Sequence, residues 1–162
     1  MNKFLILLAA ISLLSCGESV KDYSLRAFPV SDSIQLAIET NHDVSTGRRQ
    51  AWSDAIYDKQ YKDKFVYDFN EALAMYLEDN VTLIEEIKNK KKKIDSLYLS
   101  LKEHPDESAE LYNKIKELYS IYIMSYNCAV EPEGSLQSYT DELVSYNLKF
   151  KEIKNYFEVE KQ

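Results

Sequence analysis

The stretch DFNEALAMYLEDNVTLIEEIKNKKKKIDSLYLSLKE, residues 68–103, decides the fold class of this chain. Its apolar residues recur at alternating steps of four and three, the heptad spacing of a helix that buries one face. Asp68 with Glu71 resembles a capping box, which marks the start of a helix. The pattern therefore predicts one long helix over residues 68–103.

Two polar residues, Asn80 and Lys90, interrupt the heptad. Asn80 is interpreted as a residue that fixes the register of the packing, or that marks where the helix changes its partner. Lys90 indicates that the bundle is locally open, or that the stem of this lysine follows the apolar surface and carries its charge to water.

Three further helices are predicted around this one. The first covers residues 31–57, and its apolar stripe weakens in the middle, where a kink or a break is expected. A polar and aromatic loop follows at residues 58–67. Pro105 begins another helix, and Ser135 caps the last one. Short turns between successive helices favour antiparallel neighbours. The sequence therefore predicts an all-α fold, an elongated antiparallel (up-down) bundle of three to four helices with coiled-coil-like heptad packing.

The N-terminal segment carries a second signal. One lysine, a short apolar run at residues 4–14 and a small residue before a break are typical of a secretory signal. The run is about half of the ~20 residues that span a bilayer. Its end, LLSC at residues 13–16, resembles the lipobox of bacterial lipoproteins, in which the cysteine is acylated and the chain is cut before it. The alternative is an ordinary signal whose cysteine is incidental.

The lipobox resemblance implies a domain organisation and a location. Residues 1–15 would be a signal peptide, residues 16–30 a lipidated N-terminus and tether, and residues 31–162 the helical domain. Cys16 would carry a covalent lipid, with no other cofactor. The lipid would hold the protein in the bacterial cell envelope, on the outer face of the plasma membrane or on the outer membrane.

Composition excludes several classes of function. The formal net charge is −7, so we expect no nucleic-acid partner. Cys128 is the only other cysteine, which leaves no intrachain disulfide once Cys16 is acylated, and we interpret it as a small buried residue. Glu39 and His42 have the spacing of a di-iron ligand pair, but the chain has no second such pair. No nucleophile elbow, phosphate loop or kinase motif is present, so we expect neither an enzyme nor a metal site.

Two groups of side chains are candidates for contact with other molecules. The chain has 13 tyrosines against 6 phenylalanines, and tyrosine is enriched at interfaces, although a tyrosine in a core with its tip in water is the more ordinary case. The predicted interaction surface comprises Tyr112, Tyr119, Tyr126, Tyr139 and Tyr146. The predicted contact with an anionic surface comprises Lys88, Lys91, Lys92 and Lys93. A solvated helix face is the alternative for these lysines.

Several fragments also resemble small helical bacterial proteins, some with lipoprotein signals and some associated with phages or prophages. They include AWSDAIY at residues 51–57, DFNEAL at residues 68–73 and GSLQSY at residues 134–139. This resemblance implies the helical fold and no particular activity. Our hypothesis is a non-enzymatic interaction or scaffold module that binds an envelope protein. The alternative is a phage-exclusion or toxin-immunity lipoprotein, which would block an incoming phage-derived or foreign component at the membrane.

The lipobox interpretation makes a direct prediction. Cys16→Ser removes the thiol that is acylated, so the variant should stay unprocessed or leave the membrane fraction, because no acyl chain then holds it. Membrane fractionation and mass spectrometry of the N-terminal peptide measure this, and Cys128→Ser should keep its anchor. A Cys16→Ser protein that remains acylated and sediments with membranes contradicts the interpretation.

Overall fold

The computed structural model describes residues 19–160, and this part of the chain is almost entirely helical. The helices are α1 (Val20–Tyr57), α2 (Phe69–Asp79), α3 (Val81–Leu99), α4 (Ala109–Val130) and α5 (Leu136–Glu160). A short antiparallel hairpin of β1 (Gln60–Tyr61) and β2 (Lys64–Phe65) follows α1, and a 3-10 turn (Asp106–Ser108) precedes α4. The predicted all-α class is confirmed. None of the helices within residues 19–160 combines the length and the hydrophobicity that a bilayer-spanning segment needs.

Helix α1 begins much earlier than the sequence predicts. Ser19 caps it by accepting a hydrogen bond from the backbone N–H of Asp22 at 3.2 Å. Tyr23 and Ala27 are completely buried on its inner face. The prediction of a tether over residues 16–30 is therefore wrong from Val20 onwards, and Cys16 lies outside the described residues. Residues 17–29 show no strong apolar period, which is why the sequence predicts a tether there.

Helix α1 is the central element of the bundle. Its 38 residues span about 57 Å, and it contacts each of the other four helices. Near its start, Arg26 donates hydrogen bonds to carbonyl oxygens just beyond the end of α3, including that of Glu103 at 2.8 Å. Near its end, Trp52 stacks on Phe69 at the start of α2, with 5.6 Å between ring centroids. Helices α2 and α3 therefore run antiparallel to α1.

The single helix predicted over residues 68–103 is two helices separated at Asn80. Its predicted start is confirmed, because the Asp68 carboxylate accepts hydrogen bonds from the backbone N–H groups of Asn70 and Glu71. The Asn80 side chain donates to the carbonyl of Tyr76 at 2.8 Å. This local bond competes with the regular helical pattern, which explains why the helix breaks there. The other end was placed too late, since α3 stops at Leu99.

Buried apolar side chains form two clusters. The larger one lies between α1, α3, α4 and α5, and Ile34, Leu118 and Phe157 are among its fully buried members. The smaller one lies nearer the end of α1, where this helix meets α2, α3 and the hairpin, and it includes Tyr61 and Val66. The two strands are therefore attached to a core of their own.

The approach of α2 to α1 depends on one glycine. The ring of Tyr76 lies on Gly47, so close that a Cβ on this residue would stand 2.7 Å from the phenol oxygen. The same oxygen donates a hydrogen bond to the carbonyl of Val44 at 2.7 Å. A glycine in the middle of a helix costs stability, and here it provides the space for the tyrosine.

The first prediction from the fold concerns this contact. Replacement of a glycine by alanine inside a helix usually stabilises the helix, by about 1 kcal/mol. In this protein the added methyl collides with Tyr76, so Gly47→Ala should lower the free energy of unfolding by about 1 kcal/mol or more. Chemical denaturation measures the change. In a Tyr76→Phe background, where the oxygen is gone, Gly47→Ala should lose most of its penalty. An equal penalty in both backgrounds contradicts this packing.

Candidate functional site

Two of the five tyrosines predicted to form the interaction surface are buried. Tyr139 is 1% exposed and Tyr146 is 0% exposed. The Tyr139 O–H donates to the carbonyl of Cys128 at 2.9 Å, and burial raises the pKa of this phenol to about 12. The Tyr146 hydroxyl lies 3.1 Å from Nδ1 of His42. The prediction is wrong at these two positions because their rings fill the core and their hydroxyls bind inside the protein.

The other three tyrosines are half-buried between α3 and α4. Tyr119 donates to the Asp95 carboxylate at 2.7 Å, and its ring stacks on Tyr98 with 3.9 Å between centroids. The ring of Tyr112 lies 4.6 Å from that of His104. Desolvation and the nearby Asp95 carboxylate raise the pKa of the Tyr119 phenol. These tyrosines are used mainly for packing inside the bundle.

The four predicted lysines divide into two pairs. Lys88 forms a 2.8 Å ion pair with Glu85, and Lys91 forms a 2.7 Å ion pair with Asp95. Lys92 and Lys93 are exposed, and neither has a carboxylate within ion-pair distance among the described residues. The charge of the basic cluster is therefore partly neutralised within α3, and the uncompensated part lies on the later lysines.

The exposed aromatic side chains lie elsewhere, at one end of the molecule. Within residues 19–160, four aromatic residues are more than a third exposed, and all of them come from the end of α1, the hairpin and the start of α2. They are Tyr57 (75% exposed), Phe65 (65%), Tyr67 (83%) and Phe69 (37%). We call these four residues the aromatic patch.

The hairpin holds the aromatic patch through the alternation of its side chains. Val66 is completely buried, whereas its neighbours in sequence, Phe65 and Tyr67, are exposed. Successive side chains of an extended segment point to opposite faces. The two exposed rings contact each other edge to face, with 5.4 Å between centroids. On β1, the buried Tyr61 donates to the Asp79 carboxylate at 2.8 Å. The segment that carries the patch is therefore attached to the bundle through its buried side chains, Tyr61 and Val66.

The backbone of the hairpin is strained at two positions. Lys59 and Lys62 have φ angles of 57° and 50°, and they are the only non-glycine residues of the described chain with positive φ. A left-handed backbone is uncommon outside glycine, and strained positions of this kind concentrate at functional sites. The sequence prediction of a plain loop at residues 58–67 missed this hairpin, since two-residue strands leave no periodicity to detect.

The interior of the bundle contains a buried charge. Arg48 is 1% exposed, and one terminal nitrogen donates to the carbonyl of Cys128 at 3.4 Å. The other terminal nitrogen has no hydrogen-bond partner in the described part of the chain. The carbonyls in the last turn of α4 carry partial negative charge, which favours a cation at this place. Burial lowers the pKa of the guanidinium.

The same region offers little chemistry. Burial and the nearby Glu142 raise the pKa of the Cys128 thiol to about 12, so the thiol stays protonated at neutral pH and is a poor nucleophile. Glu39 binds Lys154 rather than sharing a site with His42. Among residues 19–160 no three side chains of the histidine, cysteine, aspartate or glutamate type converge on one point.

Comparisons with known proteins assign neither a family nor a function to this chain. No protein-family model matches the chain, and no curated protein and no solved structure is significantly similar to it. The aromatic patch is a feature of the described surface that packing within the bundle leaves unexplained.

The buried contact of His42 makes a prediction about pH. Burial lowers the pKa of His42 below 6.5, so the unfolded chain takes up a proton first as the pH falls. The stability that neutral His42 provides is thus present above pH 6.5 and lost as the pH falls through the lower, folded pKa. Denaturant unfolding from neutral pH to about pH 5 should show this decline, above the range where most carboxylates titrate.

The matched variants are His42→Gln and His104→Gln. The first should flatten the decline in stability over this pH range, since it removes the titrating group. The second removes a histidine at the other end of the bundle and should leave the decline in place. A decline that persists unchanged in His42→Gln shows that another group causes it.

Proposed function

We propose that this protein is a membrane-anchored lipoprotein of the bacterial cell envelope, and that its helical domain is a non-enzymatic protein-interaction module. The observation that carries the proposal is the aromatic patch. Phe65 and Tyr67 contact each other, and Tyr57 and Phe69 lie at the adjoining ends of α1 and α2. Exposed apolar patches mark contact sites. Tyrosine and phenylalanine are also enriched at the centres of interfaces.

The location of the patch relative to the expected anchor supports this proposal. Cys16 precedes the start of α1 by only a few residues, so its lipid would attach the bundle at that end. Tyr57 closes α1 at the opposite end, about 57 Å away along the helix axis. A lipid on Cys16 would therefore leave the aromatic patch far from the point of attachment and accessible to another protein.

The structure of the hairpin also supports a binding role for the aromatic patch. Its buried residues Tyr61 and Val66 attach the backbone to the core, and the exposed rings of Phe65 and Tyr67 contact each other edge to face. A surface that is ordered before binding pays less conformational entropy when a partner docks. Cys128, the one free cysteine of the described chain, is buried and has a raised pKa, which removes one candidate nucleophile.

The experiment for this proposal is site-specific cross-linking in native membranes. A photoreactive amino acid replaces Tyr67 in the patch or, as the control, Val144, which is 50% exposed on α5. We expect one dominant protein adduct from position 67 and not from position 144. Identification of the adduct also separates an envelope protein from a phage or toxin component, which is the alternative role. The same adducts from both positions, or adducts with lipid alone, contradict the proposal.

A variant with three substitutions tests the contribution of the rings. Tyr57→Ser, Phe65→Ser and Tyr67→Ser together should reduce formation of the partner complex at least tenfold, since interface aromatics often contribute about 2 kcal/mol each. Stability should change little, because all three side chains are exposed. The double variant Val144→Ser and Leu148→Ser removes exposed apolar side chains from α5 and should bind normally. Complex formation is measured by quantitative co-purification with the partner that cross-linking identifies.

A further inference from the structure

A groove between α1 and α3 combines an apolar floor with a basic rim. Its volume is about 200 Å³, and Leu36, Ile94 and Leu97 are among its lining residues. Lys90 and Lys93 also line it. The groove lies where Lys90 interrupts the heptad of α3, so a charged side chain stands at a position that an apolar residue would otherwise fill.

The two lysines of the rim carry charge that the protein leaves uncompensated. The ion pairs in this part of α3 use Lys88 and Lys91 instead. Lys90, Lys92 and Lys93 are exposed and have no carboxylate within ion-pair distance among the described residues. In a protein with a net charge of −7, this is a local concentration of positive charge beside an apolar surface.

The outer face of α1 extends the apolar surface toward the N-terminus. Leu25 and Leu36 are 66% and 62% exposed. They lie about three helical turns apart and therefore on one face of α1. Asp32 lies between them on the same face, and its carboxylate would repel an anion. Lys90, Lys92 and Lys93 of α3 outnumber this single negative charge. An apolar stripe with adjacent basic residues is the pattern of a helix that lies in a membrane interface.

The distance of this face from the lipid-anchored end of α1 determines which orientation of the bundle would bring the face to a membrane. Leu36 is about 24 Å along α1 from Val20, the end nearest to Cys16. If the bundle stood upright on its lipid, the lysines of the groove would be separated from the headgroups by more than two Debye lengths, which are about 8 Å each at physiological salt. The lysines act on the membrane only if the bundle lies down on its α1–α3 face.

We propose that the groove between α1 and α3 binds anionic lipid of the membrane that holds the protein. One lipid headgroup contacts Lys90 and Lys93 and its hydrocarbon covers Leu36, so that the domain lies flat on the α1–α3 face. This inference rests on the proposed lipid anchor. It assigns the predicted anionic contact to Lys90 and Lys93 in place of the paired Lys88 and Lys91.

The test uses the mature lipidated protein, which would begin at Cys16, in vesicles that contain a quencher attached to the lipid chains. An environment-sensitive fluorophore is placed on Asn89→Cys, beside the groove, or on Asn155→Cys, an exposed position of α5. The buried Cys128 thiol labels slowly because its pKa is raised. Vesicles are made of phosphatidylcholine alone or of phosphatidylcholine with phosphatidylglycerol.

We expect quenching at position 89 in the anionic vesicles, little in the neutral ones, and none at position 155. Molar salt should remove the quenching. Lys90→Glu with Lys93→Glu should shift the equilibrium between the flat and the upright bundle toward the upright one by more than about 25-fold. Each lysine near an anionic surface contributes about fivefold, and reversal of its charge adds to this change. The matched variant on α5, Lys149→Glu with Lys151→Glu, should behave like the parent protein.

Flotation of the same vesicles separates the two proposals. A protein that does not float with any vesicle contradicts the lipid anchor, and with it the proposed function. A protein that floats but shows no quenching at position 89 in anionic vesicles overturns the inference about the groove alone. Equal quenching in neutral vesicles, or quenching that survives the Lys90 and Lys93 substitutions, also overturns it.

Discussion

The buried guanidinium of Arg48 is the constraint around which the helices are arranged. A charged group without water is costly unless polar atoms surround it. Here the carbonyl of Cys128, in the last turn of α4, accepts hydrogen bonds from both Arg48 and the Tyr139 hydroxyl. The guanidinium carbon lies 5.9 Å from the ring centroid of Tyr76. Side chains from α1 and α5 thus converge on the carboxyl end of α4, and Tyr76 places α2 beside Arg48 on α1.

This junction connects the core of the bundle to the hairpin. Tyr76 touches Gly47 and Arg48 on α1, and it belongs to the same apolar cluster as Tyr61 and Val66. The cluster holds the buried side of the hairpin, while Phe65 and Tyr67 remain on the outside. The proposed contact surface is therefore a consequence of internal packing.

The sequence predicted the helical class well because its signal is periodic. The heptad of residues 68–103 and the capping residues Asp68 and Ser135 depend on local geometry, and each marks a helix in the structure. The division at Asn80 could not be located from periodicity, since apolar spacing continues on both sides of the break. The early start of α1 could not be located from the sequence, since residues 17–29 show no strong apolar period.

The functional residues were harder to predict, because burial is a property of the whole fold. Tyr139 and Tyr146 have the same composition signal as an exposed tyrosine, and only the arrangement of α1, α4 and α5 places them in the core. The hairpin gave no periodic signal, since Phe65, Val66 and Tyr67 are all apolar and the alternation of their burial exists only in the structure. Arg48 gave none, since a single arginine in a helix is normally exposed.

Native-state hydrogen exchange measured by NMR is the most direct test of the claim that this junction holds the aromatic patch in place. The amide of Val66 donates to the carbonyl of Lys59 at 3.0 Å, and its exchange reports the opening of the hairpin. If the account is right, this amide is protected and opens together with the amides of α1 and α4 around Arg48 and Cys128. If it exchanges at the rate of a free loop while the helices stay protected, the patch is not preformed, and the proposed interaction surface loses its structural basis.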